Sequence, residues 1–206
     1  MSLKTLLVGL SALSLATFAS AVEITVTGTS IGGFNAQSTG NSNTLLGLTY
    51  NGSVFSNTTA GGFLAFGGNP LPSANVNNFG SFTLNGAANV YTGNTFTLVL
   101  NFTAPTGIAG GGTTTFQAAV MGQVVNIAAG GVNVSFGANS SHTYTFANGT
   151  SAGSFTLNLN SAALTPGQSV SLSGYIVGSA EAVPEPATIV GLGIASLAFM
   201  RRRLRK

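Results

Sequence analysis

The stretch Thr95-Phe96-Thr97-Leu98-Val99-Leu100-Asn101-Phe102-Thr103 alternates with a period of two. Phe96, Leu98, Leu100 and Phe102 fall on one face, and Thr95, Thr97, Val99, Asn101 and Thr103 on the other. That is the pattern of a strand with one buried face. It recurs in Phe155, Leu157 and Leu159 against Ser154, Thr156, Asn158 and Asn160, and in Val132, Val134 and Phe136 against Asn133 and Ser135. Val22, Ile24 and Val26 begin it, and Val170, Leu172 and Ile176 share a face interrupted by Gly174. Outward Thr favours the strand without adding charge.

The breaks carry turn chemistry. Asn51-Gly52, Asn85-Gly86 and Asn148-Gly149 suit positive φ. Gly61-Gly62, Gly67-Gly68, Gly110-Gly111-Gly112 and Gly130-Gly131 mark loops, as do Pro70, Pro72, Pro105 and Pro166. No helical period is found between Val22 and Ala180. About ten to twelve short strands follow, and an all-β, antiparallel β-sandwich is the expected fold. Gly28 to Asn78 reads as looser than the rest. Gly80-Ser81-Phe82-Thr83-Leu84 echoes Gly153-Ser154-Phe155-Thr156-Leu157, a resemblance that a small alphabet can produce by chance.

Charge is confined to the ends. The chain has six Lys and Arg and three acidic residues. Between Ile24 and Ala180 there is no Asp, Glu, Lys or Arg. The formal charge of +3 therefore gives no reason to expect nucleic-acid binding, which needs cations against phosphate. There is no Cys, so stability must come from burial and backbone hydrogen bonds.

Residues 1–21 read as a secretory signal peptide. Lys4 is the positive start, Leu6 to Phe18 the apolar core, and Ala19-Ser20-Ala21 the small-residue cleavage site. The mature chain is expected to start at Val22. Residues 22–180 are the expected β-sandwich domain, with Gly178 to Val183 a linker.

The C-terminal end, residues 181–206, has three parts. Val183-Pro184-Glu185-Pro186 is stiff and extended, because each Pro fixes its own φ and restrains its predecessor. Residues 187–200 are an apolar run, about 21 Å long as a helix and shorter than an ordinary span. Arg201, Arg202, Arg203, Arg205 and Lys206 follow as a basic stop that stays cytoplasmic. In this order the three parts resemble the PEP-CTERM sorting signal of Gram-negative bacteria. The resemblance implies export through the inner membrane and transient anchoring by a short C-terminal transmembrane helix. It further implies cleavage near Pro-Glu-Pro by an exosortase-type membrane protease, and delivery to the cell surface or extracellular matrix.

The middle of the chain offers little chemistry. His142 is the one group between Ile24 and Ala180 that titrates near neutral pH. A glycosidase needs two carboxylates, a Ser-His-Asp triad its acid, and a zinc site three or four ligands. No catalytic residue, cofactor or metal is expected. His142 shares the face of Tyr144 and Phe146 and reads as a strand-end residue with one hydrogen bond. Tyr50, Tyr91, Tyr144 and Tyr175 could stack on sugars, although tyrosines at strand ends more often pack with a wet hydroxyl.

The expected function is therefore a non-enzymatic, surface-sorted β protein of the extracellular matrix, biofilm or adhesion machinery, with surface polysaccharide as a candidate partner. A carbohydrate-binding surface module is the alternative. An outer-membrane β-barrel and a cross-β fibre are further readings of the same alternation.

Overall fold

A computed structural model describes residues 21–22, 24–58 and 78–182. Fourteen strands form among them. The first seven are β1 (Ala21–Val22), β2 (Thr25–Phe34), β3 (Ser42–Leu45), β4 (Leu48–Asn51), β5 (Val54–Thr58), β6 (Asn78–Leu84) and β7 (Asn89–Val90). Then come β8 (Asn94–Ala104), β9 (Thr113–Asn126), β10 (Ala129–Ser135), β11 (Ser141–Ala147), β12 (Ser151–Leu159), β13 (Ala162–Leu164) and β14 (Ser169–Ala182). A 3-10 turn, Gly137–Asn139, joins β10 to β11.

The strands pair antiparallel in two sheets. One runs β11-β12-β14-β6-β4-β3, with β1 added to β14. The other runs β13-β10-β9-β8-β2-β5, with β7 added to β9. The alternating stretch Thr95 to Thr103 lies in β8, between β2 and β9. Phe96, Leu98, Leu100 and Phe102 are buried there. Leu157, Phe155 and Leu159 of β12 and Val132 and Val134 of β10 are buried as the period required. The two echoing segments, in β6 and β12, flank β14 on either side.

The core between the sheets is aromatic. Phe96 meets Tyr50 and Phe82 at 4.9 Å and Phe34 at 5.2 Å between ring centroids. Phe55, Phe79, Phe102, Tyr144 and Phe155 continue the run. Each such ring stabilises the fold by about 1.5–3 kcal/mol relative to exposure. Gly32 on β2 makes the first cluster possible, because a Cβ there would lie 2.6 Å from the Phe96 ring.

Several expectations change. Fourteen strands replace ten to twelve because β1, β7 and β13 have two or three residues, too few to show a period. Gly28 to Phe34, read as part of a looser half, belongs to the ten-residue β2, an inner strand paired with β8 and β5. Gly130-Gly131 is strand rather than loop, with a register shift between Ala129 and Gly130. Gly178 to Ala182 is not a linker, since it pairs with β12 as far as Ser151↔Ala182. Among the described residues the strands form two separate sheets, not the one closed sheet that a barrel needs.

One turn ran against composition. The β3–β4 hairpin turns on Leu46 (φ 51) and Gly47 (φ 87), both positive. Positive φ at both central residues is type I′ geometry, which favours Asn-Gly. Leu46 is held there from far along the chain. Its carbonyl accepts from the Tyr91 hydroxyl at 2.6 Å and from Asn89 Nδ2 at 3.0 Å.

The expected signal residues 1–20, with Ala19, lie outside the described residues. So do Val183, Pro184, Glu185, Pro186, the helix 187–200, and Arg201, Arg202, Arg203, Arg205 and Lys206. Ala21, the last residue of the expected leader, is in β1. No helix among the described residues is long and apolar enough to cross a membrane.

Candidate functional site

Two places on the fold bear on function: a cleft beside His142 and the pole where β14 ends. The cleft arises because β10 leaves β9 early. Their last pair is Ser135↔Ala119, and the chain then crosses through the 3-10 turn to the other sheet. The edge of β9 at Thr115, Phe116 and Gln117 is therefore faced by Ala138, Asn139, Ser141 and His142. They line a solvent-open cleft of about 300 Å³. Phe116 is buried, and the rest are exposed.

His142 lies on the face of Tyr144 and Phe146, as the alternation implied, but at the open margin of the sandwich. Its ring stands edge-on to Tyr144 at 4.6 Å and to Phe116 at 6.3 Å. The expected hydrogen bond to the imidazole is not found among the described residues. Thr115, Gln117, Asn139 and Ser141 likewise make no side-chain hydrogen bond there. Elsewhere on the surface, neutral side chains satisfy one another across strands. Thr27 meets Thr103 at 2.8 Å, Thr44 meets Thr49 at 2.9 Å, Thr83 meets Ser169 at 2.7 Å and Thr143 meets Thr156 at 2.7 Å. His142 was visible in the sequence, but its cleft neighbours were not, because Thr115–Gln117 and Asn139–Ser141 are brought to it only by the crossing of the chain between sheets.

The tyrosines do not form a platform. Tyr50, Tyr91 and Tyr144 are buried in the core, and Tyr175 is half-buried. The Tyr50 hydroxyl donates to the Phe79 carbonyl at 2.6 Å. Burial pushes its pKa up, and the Ser30 side chain only partly offsets this. Burial also raises Tyr91, with Asn89 opposing. The Tyr144 hydroxyl is sealed from solvent and has no hydrogen bond of good geometry. Desolvation pushes it up to about 12, the Thr114 side chain countering weakly.

These shifts fix a direction for alkaline unfolding. A raised phenol pKa favours the fold fully below the unfolded value near 10 and loses that contribution as pH rises through the folded value. We predict that stability falls between about pH 10 and 12 and that Tyr144→Phe makes the fall shallower. Urea midpoints measured across that window test it. An unchanged slope in the variant would assign the loss to other groups.

The second place is the pole where β14 ends. Ala182, the last strand residue, pairs with Ser151, and Ala180 and Glu181 pair with Val22 and Ala21 of β1. The Ala21–Val22 bond, the expected signal cleavage point, thus sits beside the exit of the C-terminal segment. A second cleft, of about 280 Å³, opens at this pole between Ile24, Pro105, Phe146, Asn148 and Ala180. From Ile176, which pairs through Leu157 with His142, the strand runs roughly 20 Å to Ala182 at about 3.3 Å per residue. The His142 cleft is thus well away from the exit.

Comparison with known proteins accounts for that exit. A family model described as the PEP-CTERM protein-sorting motif matches residues 182–206, beginning at the last residue of β14. No curated protein and no solved structure matches the chain. The motif implies an exported protein that an exosortase, itself a membrane protein, processes and sorts to the cell surface.

Proposed function

We propose that this chain, which carries an exosortase sorting motif at its C-terminal end, is a non-enzymatic structural or adhesive component of the extracellular matrix. The observation that carries the reading is the absence of Asp, Glu, Lys and Arg from Ile24 to Ala180. His142 has no acid, base or cation from that stretch to work with, and general acid–base chemistry needs a titrating partner near the reacting bond.

A neutral surface of paired hydroxyls and amides suits packing against hydrated polymer or against further copies of the chain. The outer strands β3, β5, β11 and β13 bear no Lys, Glu or Asp to block edge pairing. Signal-peptide removal and exosortase cleavage at one pole would then leave the rest of the domain free to engage the matrix, with a short helix at 187–200 as the transient anchor.

The test is a hydrolase and transferase screen of mature protein recovered from the cell surface, run beside His142→Ala. No turnover by either protein is expected. A substrate that the wild type consumes and His142→Ala does not would sink the proposal.

A further inference from the structure

We infer that the His142 cleft is a binding subsite for an uncharged oligosaccharide, an inference that rests on the reading of the domain as a non-enzymatic matrix protein. Four observations converge on it.

The first is clustered polarity. Thr115, Gln117, Asn139, Ser141 and His142 face one cleft, and their side chains have no hydrogen-bond partner among the described residues. These five groups stand together beside one concavity, open to solvent and so to a ligand.

The second is the kind of group. The amides of Gln117 and Asn139 each offer a donor and an acceptor side by side. Adjacent sugar hydroxyls present the complementary pair. The hydroxyls of Thr115 and Ser141 can donate or accept as the ligand requires.

The third is rigidity. Gln117 projects from β9 where that strand is paired with β8, at Gln117↔Thr97. The His142 ring is braced by Tyr144 and Phe116. A braced imidazole gives a sugar C–H face a flat surface at little cost in side-chain freedom.

The fourth is charge. An anionic polymer would find no Lys or Arg between Ile24 and Ala180 to pair with its carboxylates or sulfates, whereas a neutral glycan needs none. The ligand class is therefore uncharged. The volume, about 300 Å³, is at the low end for small-molecule sites and suits a short segment of glycan chain. The site lies away from the tail exit, so binding is compatible with the anchored and the released protein alike.

The experiment uses mature protein on an array of uncharged and anionic oligosaccharides, followed by calorimetry on any glycan bound. Gln117→Ala, Asn139→Ala and His142→Ala are compared with Gln123→Ala, an exposed position on β9 outside the cleft. Binding of an uncharged glycan is expected, weakened at least tenfold by the cleft variants and unchanged by Gln123→Ala, with thermal midpoints alike in all four. Binding restricted to anionic glycans, binding that the cleft variants leave intact, or no binding at all would overturn the inference. Any of those results leaves the non-enzymatic matrix reading standing. Hydrolysis of a bound glycan would instead sink that reading.

Discussion

Phe96→Ala is expected to destabilise the mature domain by about 3–5 kcal/mol, the range for deleting a buried phenyl ring. Phe96 is fully buried, and its ring touches those of Phe34, Tyr50 and Phe82. The loss falls at the centre of the core, because β8 lies between β2 and β9 and the ring reaches the opposite sheet at Tyr50 and Phe82. Collapse around the hole is limited, since Tyr50 is tied by its hydroxyl to the Phe79 carbonyl. No disulfide shares the load, as the chain has no Cys. Against a total of roughly 5–15 kcal/mol for a typical domain, this leaves a protein near its unfolding threshold. Thr95→Ala, on the exposed face of the same strand, should stay within about 0.5 kcal/mol. Urea denaturation of both variants measures the contrast. A cost below about 1 kcal/mol for Phe96→Ala would mean that the face assignment of β8 is wrong.

The second large effect concerns processing. Replacing both Pro184 and Pro186 with Ala is expected to block cleavage and to cut surface-delivered protein at least tenfold. β14 is paired up to Ala182, so a protease meets the chain with almost no slack between the folded domain and the apolar run. Residues 183–186 are the stretch left to a protease, and by sequence Pro184 and Pro186 favour an extended chain there. Ala removes that restraint. It is the best helix former where Pro is the worst, by about 3 kcal/mol per residue in a helix interior. A helix beginning within the apolar run could then extend back through residues 184–186 and withdraw the cleavable segment. Mass spectrometry of membrane and surface fractions reads the outcome. The variant should keep Arg201 to Lys206 and stay with the inner membrane. Normal trimming of the doubly substituted chain would show that the prolines do not direct the cut.

The alternation of β8, β10 and β12 was legible because burial on one face is a local property of a strand, written in every second residue. Asn148-Gly149 was legible for a similar reason: Gly149 takes φ 87, and the Asn148 side chain accepts from the backbone of Thr150 and Ser151. Leu46-Gly47 was not, because Tyr91 and Asn89 hold a residue that resists positive φ. The run from Gly178 to Ala182 looked like a linker for want of large apolar side chains, yet β12 supplies its ladder bonds. Tyr50 and Tyr144 read as packing residues with a wet hydroxyl, and the packing of two sheets buried the hydroxyls too.

By itself, the order of residues determined that the middle of this protein forms half-buried strands without Asp, Glu, Lys or Arg and that its C-terminal end carries a sorting signal. Those properties depend on neighbours one to four positions apart, or on the presence or absence of a residue type. Only the tertiary structure decided which strands lie side by side, that Ala21–Val22 meets the end of β14, and that Gln117 and Asn139 face His142 across one cleft. Such contacts join segments far apart in the chain, and their closeness is set by hydrogen-bonded register and by aromatic rings packed between the sheets.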